Sequence, residues 1–224
     1  MKQSSTQRIE AVSMALIAGY VDGYALRVFG IYVSFMSGNT TLAGIHAGQG
    51  LFYTALIPML AIAGFVLGSF AGNWFVQSGV RNAQRVLFLA AAVLIACFVA
   101  LNLHPFPSAN LSLPILSLAM GMINPAVAAV GREAVNVTFV TGTLNKIGNH
   151  LALGVRRVQP ANAEGQWDTH FYRAALEATL WLGFLTGAIL SGAASSHFGV
   201  IELVPASLAL IAFSFIPRSE AAAA

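Results

Sequence analysis

From Leu51 to Val76 the chain carries no Asp, Glu, Lys or Arg, and the same is true from Leu111 to Gly131. Runs of this length match the roughly 20 apolar residues with which an α-helix crosses a bilayer core. Only 8% of the 224 residues are charged and 57% are hydrophobic, whereas soluble domains carry about 25% charged residues. The expectation is an all-α membrane protein whose surroundings are the lipid bilayer. The net charge of +3 offers no basis for binding nucleic acid. The single cysteine, Cys97, lies in an apolar run; it excludes a disulfide framework and is expected as a small buried hydrophobe. Met1 to Glu10 form a weakly basic flank without a small-x-small cleavage site after the next apolar run. That run reads as a retained first helix.

Six long apolar segments stand out, at about 11–30, 51–76, 86–103, 112–131, 174–196 and 198–217. Two shorter and more polar segments, near 32–48 and 136–154, follow the first and the fourth. Positive charge decides whether these two also span. With six spans and the N-terminus inside, ten of the eleven Lys and Arg fall on the inner side: Lys2, Arg8, Arg81, Arg85, Arg132, Lys146, Arg156, Arg157, Arg173 and Arg218. The outer loops hold none, and Arg27 lies toward the outer end of the first helix. Eight spans would carry Arg81 and Arg85 outside. The reading is therefore six transmembrane helices with both termini cytoplasmic and two broken or re-entrant segments. Such irregular backbone is tolerated only where protein or a wet cavity surrounds it. The polar stretch 155–172 reads as a solvated cytoplasmic connector.

The chain also resembles itself. A shift of 104 places Val33-Ser34-Phe35-Met36-Ser37-Gly38 on Val137-Thr138-Phe139-Val140-Thr141-Gly142, Gly44 on Gly148, and His46 on His150. With a two-residue adjustment, Gly19 and Asp22-Gly23 fall on Gly121 and Asn124-Pro125. Gly64-Phe65-x-x-Gly68 is similar to Gly183-Phe184-x-x-Gly187. Two three-helix repeats are expected, residues 1–103 and 104–224. Because three spans is an odd number, consecutive copies must insert in opposite senses. That is the 3+3 inverted-topology repeat of secondary transporters, whose sites lie near the midplane between the repeats.

Each half sets a polar side chain before a helix weakener, Asp22-Gly23 and Asn124-Pro125. A carboxylate at bilayer depth costs about 2.5–3.5 kcal/mol on insertion scales, so Asp22 marks a candidate ion or substrate group; a tie between helices is the alternative. Arg27 stands about 140° around a straight helix from Asp22, so the two would pair only across a break at Gly23. The turns Ser37-Gly38-Asn39-Thr40 and Thr141-Gly142-Thr143 offer hydroxyls, an amide and backbone N–H groups. Their Ser and Thr residues are expected to cap half-helices whose positive ends could face an anionic group. Gly64, Gly68 and Gly72, and Gly183, Gly187 and Ser191, form small-residue stripes for close helix packing, within the chain or in a possible homodimer. Glu177 and Glu202 near span ends are expected to be solvated. His46 and His150 lack carboxylate or thiolate company, so no metal or other cofactor is implied.

Tyr20-Val-Asp22-Gly23, the block Val33 to Thr41, Gly121-Met-Ile-Asn124 and Val137 to Leu144 resemble the bacterial YoaK-like family of inner-membrane proteins, a domain of unknown function. The likeness extends over about residues 10–217. It implies a bacterial inner-membrane setting, and it places Asp22, Ser37, Gly38, Asn39 and Thr40, then Asn124, Thr141, Gly142 and Thr143, at family-motif positions. Pro125 and the two histidines depart from the pattern. The likeness implies no activity or substrate. No nucleophile, phosphate loop or Cys/His cluster supports an enzyme. The functional expectation is a transporter or permease for a small solute or ion, with Asp22 responding to protons or cations. The alternatives are a channel-like pore of the same topology, or a membrane scaffold whose polar residues only hold helices together.

Overall fold

The structure is a computed structural model that describes residues 2–80, 82–103, 109–127, 129, 130, 133, 134, 137–161, 163, 165–194 and 199–216. Arg81, Arg132 and Arg218 of the charge tally lie outside the described residues, as do 195–198 and 217 at the ends of the last two expected spans. Eight α-helices are described: α1 Lys2–Phe29, α2 Met36–Gly48, α3 Phe52–Gln77, α4 Ala83–Asn102, α5 Ala109–Ala126, α6 Val140–Val155, α7 His170–Ala194 and α8 Val204–Ser214. A two-residue antiparallel pairing, β1 Ala129–Val130 with β2 Glu133–Ala134, follows α5, and a 3₁₀ turn, Gly199–Leu203, precedes α8.

Four helical stretches, Ser5–Phe29, Phe52–Gln77, Ala83–Asn102 and His170–Ala194, are long and apolar enough to cross a membrane. The described parts of the other two expected spans, Ser112–Ala126 and Gly199–Ser214, are apolar but shorter. At 1.5 Å per residue the whole of α5 reaches about 27 Å, slightly short of a typical hydrocarbon core. The outer faces fit lipid. Phe52, Leu67, Phe70 and Trp74 on α3 and Val93 on α4 are exposed, and Cys97 is exposed as well, not buried as expected.

Two pairs of helices lie backbone to backbone, and the small-residue stripes bring them together. In the first pair, Gly187 of α7 sits on Leu16 and Tyr20 of α1, Gly19 sits on Phe184, and Gly183 sits on Val12. In the second, Gly68 of α3 sits on Leu118 of α5, Gly121 sits on Phe65 and Ser69, and Gly64 sits on Pro114. A side chain at any of these glycines would collide with a carbonyl or main-chain nitrogen of the facing helix. The stripes are therefore used inside the chain and are not free to pair protomers. The order of these contacts makes α1 parallel to α7 and α3 parallel to α5.

Other neighbours run oppositely. Lys146 meets Glu177 and His150 meets His170, so α6 is antiparallel to α7. Ser207 donates to the Ala92 carbonyl while Arg85 covers the Phe215 ring, so α8 is antiparallel to α4. Three residues join α2 to α3 and five join α3 to α4, so the chain reverses at both points. The core between the helices is apolar: Met14, Ala18, Val21, Phe88, Ile95, Leu116, Met120, Ile123 and Leu210 are all buried. Tyr24, Phe29 and Phe98 stack edge to face within it.

Candidate functional site

Helix α1 runs unbroken through Asp22 and Gly23. Gly23 does not weaken it; a side chain there would press on Ser191 of α7. The helix ends instead at Gly30, whose φ of +70° only glycine adopts easily. The chain then doubles back along α1 through Ile31 to Phe35 before α2 begins. Non-helical backbone inside a bilayer must find hydrogen-bond partners within the protein. Asp22 supplies them from one side. Its Oδ1 accepts the Val33 and Ser34 backbone N–H groups, each at 2.8 Å, and its Oδ2 accepts the Ser34 hydroxyl at 2.5 Å. Asn39, fully buried on α2, supplies them from the other side. Its Nδ2 donates to the Tyr32 carbonyl at 2.6 Å, and its Oδ1 accepts the Tyr32 N–H at 3.0 Å. The returning segment is thus clasped between a carboxylate and an amide.

The second half repeats the device more loosely. Asn124, two residues before the end of α5, donates from Nδ2 to the Thr138 hydroxyl at 2.7 Å. Thr138 takes the place of Ser34. The other side-chain atom, Asn124 Oδ1, is buried with no hydrogen-bond partner among the described residues. Among the described residues Thr143, which takes the place of Asn39, bonds only the carbonyl of Phe139 at the start of its own helix, at 3.2 Å.

The remaining expected residues sit differently from their assigned roles. Phe35 and Phe139 occupy the N-cap positions of α2 and α6, and no side chain caps either helix. Ser37, Thr40 and Thr141 lie within the first turns and are exposed. The Thr40 hydroxyl returns to the Met36 carbonyl at 2.8 Å. Gly38 and Gly142 are seats for aromatic rings: a Cβ at Gly38 would meet the Phe35 ring, and one at Gly142 the Phe139 ring. The capping expected from Ser37 and Thr141 is absent because Phe35 and Phe139 take the N-cap positions, which puts Ser37 and Thr141 inside the first turn.

Several buried polar groups escaped the sequence reading. Glu202 and Glu177, expected in solvent, are both buried. Arg27 Nη2 reaches Glu202 Oε1 at 2.5 Å and Ser191 Oγ at 3.1 Å, and the Tyr20 hydroxyl donates to the Glu202 carbonyl at 2.8 Å. Arg27 thus ties the C-terminal end of α1 to α7 and to the entry of α8; it does not pair with Asp22. At the opposite end of α7, Lys146 Nζ meets Glu177 Oε1 at 3.0 Å, and His150 meets His170 at 2.9 Å. Arg173 grips Asp168 through two bonds of 2.9 Å. So the connector 155–172 is anchored at its end. The insertion-cost argument that singled out Asp22 applies equally to Glu177 and Glu202 and would have found both. Among the described residues no three of His, Cys, Asp and Glu come together as a metal site.

The family described as "Protein of unknown function (DUF1275)" matches residues 11–216. The chain belongs to that family. It is also 32% identical over 224 residues, 97% of its own length and 90% of the relative's, to the UPF0700 transmembrane protein RA0705 of Rhizobium meliloti (strain 1021). No solved structure matches the chain. The match covers both clasps, from Asp22 and Asn39 to Asn124 and Thr143. A DUF1275 chain is therefore embedded in the membrane and belongs to a family without an assigned activity, as the motif blocks imply.

Proposed function

We propose that the protein is a transporter or permease of the bacterial inner membrane, built from two inverted halves, that moves a small solute past its two doubled-back segments. The observation that carries this reading is the clasp itself. In the first half the chain leaves α1 at Gly30, folds back alongside that helix and is tied to Asp22 on it; in the second, Asn124 of α5 bonds Thr138 at the corresponding position. Broken helices at membrane depth are the sites of solutes and coupling ions in inverted-repeat transporters. The helix directions support the inversion. With α1 pointing up, α7 and α4 point up and α3, α5 and α8 point down, so each helix of one half opposes its counterpart. The positive-inside bias puts Arg8, Arg85, Arg156, Arg157 and Arg173, and hence both termini, on the cytoplasmic side.

In this mechanism Asp22 is the proton-responsive group. As a carboxylate it holds Val33 and Ser34 through three charge-assisted bonds. Such bonds are about twice as strong as neutral ones, so a proton on Oδ2 weakens the hold on both N–H groups and turns the Ser34 hydroxyl from donor to acceptor. The segment Ile31–Phe35 is then held less tightly against α1, while Asn39 keeps its two bonds to Tyr32. Asn124 and its unpartnered Oδ1 present an acceptor to a solute bearing N–H or O–H groups.

The test is solute-induced proton flux in proteoliposomes, with an internal pH dye and wild type beside Asp22→Asn. A solute that moves protons through wild type but not through the variant supports the reading. Transport with unchanged pH dependence in Asp22→Asn sinks it. A scaffold reading has one observation in its favour, the full set of donors around Asp22. It requires that no solute be moved and that Asp22→Ala act on folding alone.

A further inference from the structure

The helices fall into two closely packed sets. One is α7 with α1 and α6 along it; the other is α5 with α3 and α4 along it, α8 on α4 and α2 on α3. Between the sets the backbones come close at few points, chiefly where α1 passes α5, α8 and Ala129–Val130. Within each set glycine lets main chain touch main chain, Gly19 and Gly187 in the first, Gly68 and Gly121 in the second. Across the boundary side chains make the contact, as Tyr24 and Phe29 of α1 do against Phe98 of α4. Both clasps lie on this boundary. Asp22 of α1 holds Val33 and Ser34, while Asn39 of α2 holds Tyr32. Asn124 of α5 holds Thr138, from which the chain enters α6.

We propose that α1, α6 and α7 move as one body against α2, α3, α4, α5 and α8, and that Arg27 and Glu202 form the latch that holds the bodies shut at one end. Arg27 sits on α1, and Glu202 in the 3₁₀ turn that leads into α8. Arg27 Nη2 meets Glu202 Oε1 at 2.5 Å, and the Tyr20 hydroxyl donates to the Glu202 carbonyl at 2.8 Å. Ser191 of α7 accepts from the same Nη2 at 3.1 Å. The guanidinium is thus steadied within its own body, and Glu202 is its partner across the boundary. The Glu202 side chain is buried, and its Oε2 has no hydrogen-bond partner among the described residues. A buried carboxylate oxygen without a partner is costly, so water reaching it on opening offsets part of the bond that is lost. That balance suits a fastening that opens and closes again.

The latch belongs to one end only. The shifts that set Asp22 on Asn124 and Gly64 on Gly183 also set Arg27 on Ala129, Gly72 on Ser191 and Ala83 on Glu202. Alanine and glycine have no side-chain group for such a bond. Arg27 lies about 7.5 Å beyond Asp22 along α1. The latch and the three rings therefore stand between Asp22 and the face that the positive-inside bias turns outward. Parting them gives a solute on that face a way to the first clasp. What the opening serves rests on the transporter reading; the opening itself does not.

Thiol labelling of the full chain in nanodiscs tests the latch without any solute. In a Cys97→Ala background a single cysteine is introduced by Ala25→Cys or by Ala61→Cys, and a charged maleimide is the probe. Both alanines are fully buried. Ala25 is on the side of α1 turned away from Gly23 and α7, at the boundary, and Ala61 is on α3, within the second body. With the latch intact both positions are expected to label slowly. Glu202→Gln is expected to speed labelling at position 25 by at least about tenfold, the worth of a charged hydrogen bond, and to leave position 61 slow. Glu202→Gln combined with Arg27→Gln is expected to behave alike; it leaves no lone charge in the seam and decides the matter if the single variant folds poorly. Unchanged labelling at position 25 overturns the latch. An equal rise at both positions overturns the division into two bodies, because the whole bundle has then loosened. Solute flux through Asp22 can fail while these rates behave as expected, and the reverse, so the two readings are tested apart.

Discussion

Replacing Asp22 by alanine and by asparagine separates two roles that a buried carboxylate can play. Alanine removes the acceptor of two backbone N–H groups and one hydroxyl, all buried with Asp22 beneath the returning segment. A buried donor stripped of its acceptor costs about 1–3 kcal/mol, so three of them give roughly 3–6 kcal/mol once partial relaxation is allowed. Asparagine has nearly the same shape. Its oxygen can still accept from Val33 and Ser34, and its amide can donate to the Ser34 hydroxyl, so the expected cost is about 1 kcal/mol. Reversible unfolding in mixed bicelles, followed by tryptophan fluorescence, measures both values. Equal losses for the two variants would mean that charge, not hydrogen-bond geometry, holds the segment. A loss under about 1 kcal/mol for alanine would mean that the clasp contributes little and that the segment is held elsewhere.

Gly187→Val is expected to force α1 and α7 apart, because its side chain meets the Leu16 carbonyl, whereas Gly192→Val, in open space, is expected to fold normally; folded yield by size-exclusion chromatography compares them. Glu202→Gln removes the charge opposite Arg27 and is expected to lower thermal stability by about 1–2 kcal/mol, with no further loss when Arg27→Gln is added; a double-mutant cycle with zero coupling would refute the pairing. Cys97, exposed on the apolar outer face of α4, is expected to react in membranes with a lipid-soluble maleimide and to resist a charged, impermeant one. Equal labelling by both reagents would place that face in water.

Much of the fold is legible because lipid imposes simple rules. Length and lack of charge mark α1, α3, α4 and α7 directly. The spacing Gly64, Gly68, Gly72 marks a face for close packing, since a helix returns to the same side about every four residues. What spacing cannot say is which helix fills that face. The partners proved to be α5 and α1, not a second protomer. Asp22 was legible from its cost, and Asn39 from its place in the repeat, but their shared role in holding Ile31–Phe35 was not, because it depends on how tightly Gly30 turns the chain. The ion pairs of Glu177 and Glu202 join residues far apart in sequence, so no local pattern announces them. The ring seats at Gly38 and Gly142 were misread as capped turns because glycine signals both a bend and a vacancy.

The parallel pairing of α1 with α7 also bears on how the chain is made. A ribosome delivers α1 to the membrane well before α7, and at 5–20 residues per second the interval is some seconds or more. During that time the Gly19 side of α1 has no partner and can only be coated by lipid or by the insertion machinery. A nascent chain halted after Gly165 is therefore expected to be cleared rapidly by membrane proteases, which a pulse-chase would register, while one halted after Ser214 survives. The packing of α1 is complete only once α7 has followed it into the membrane.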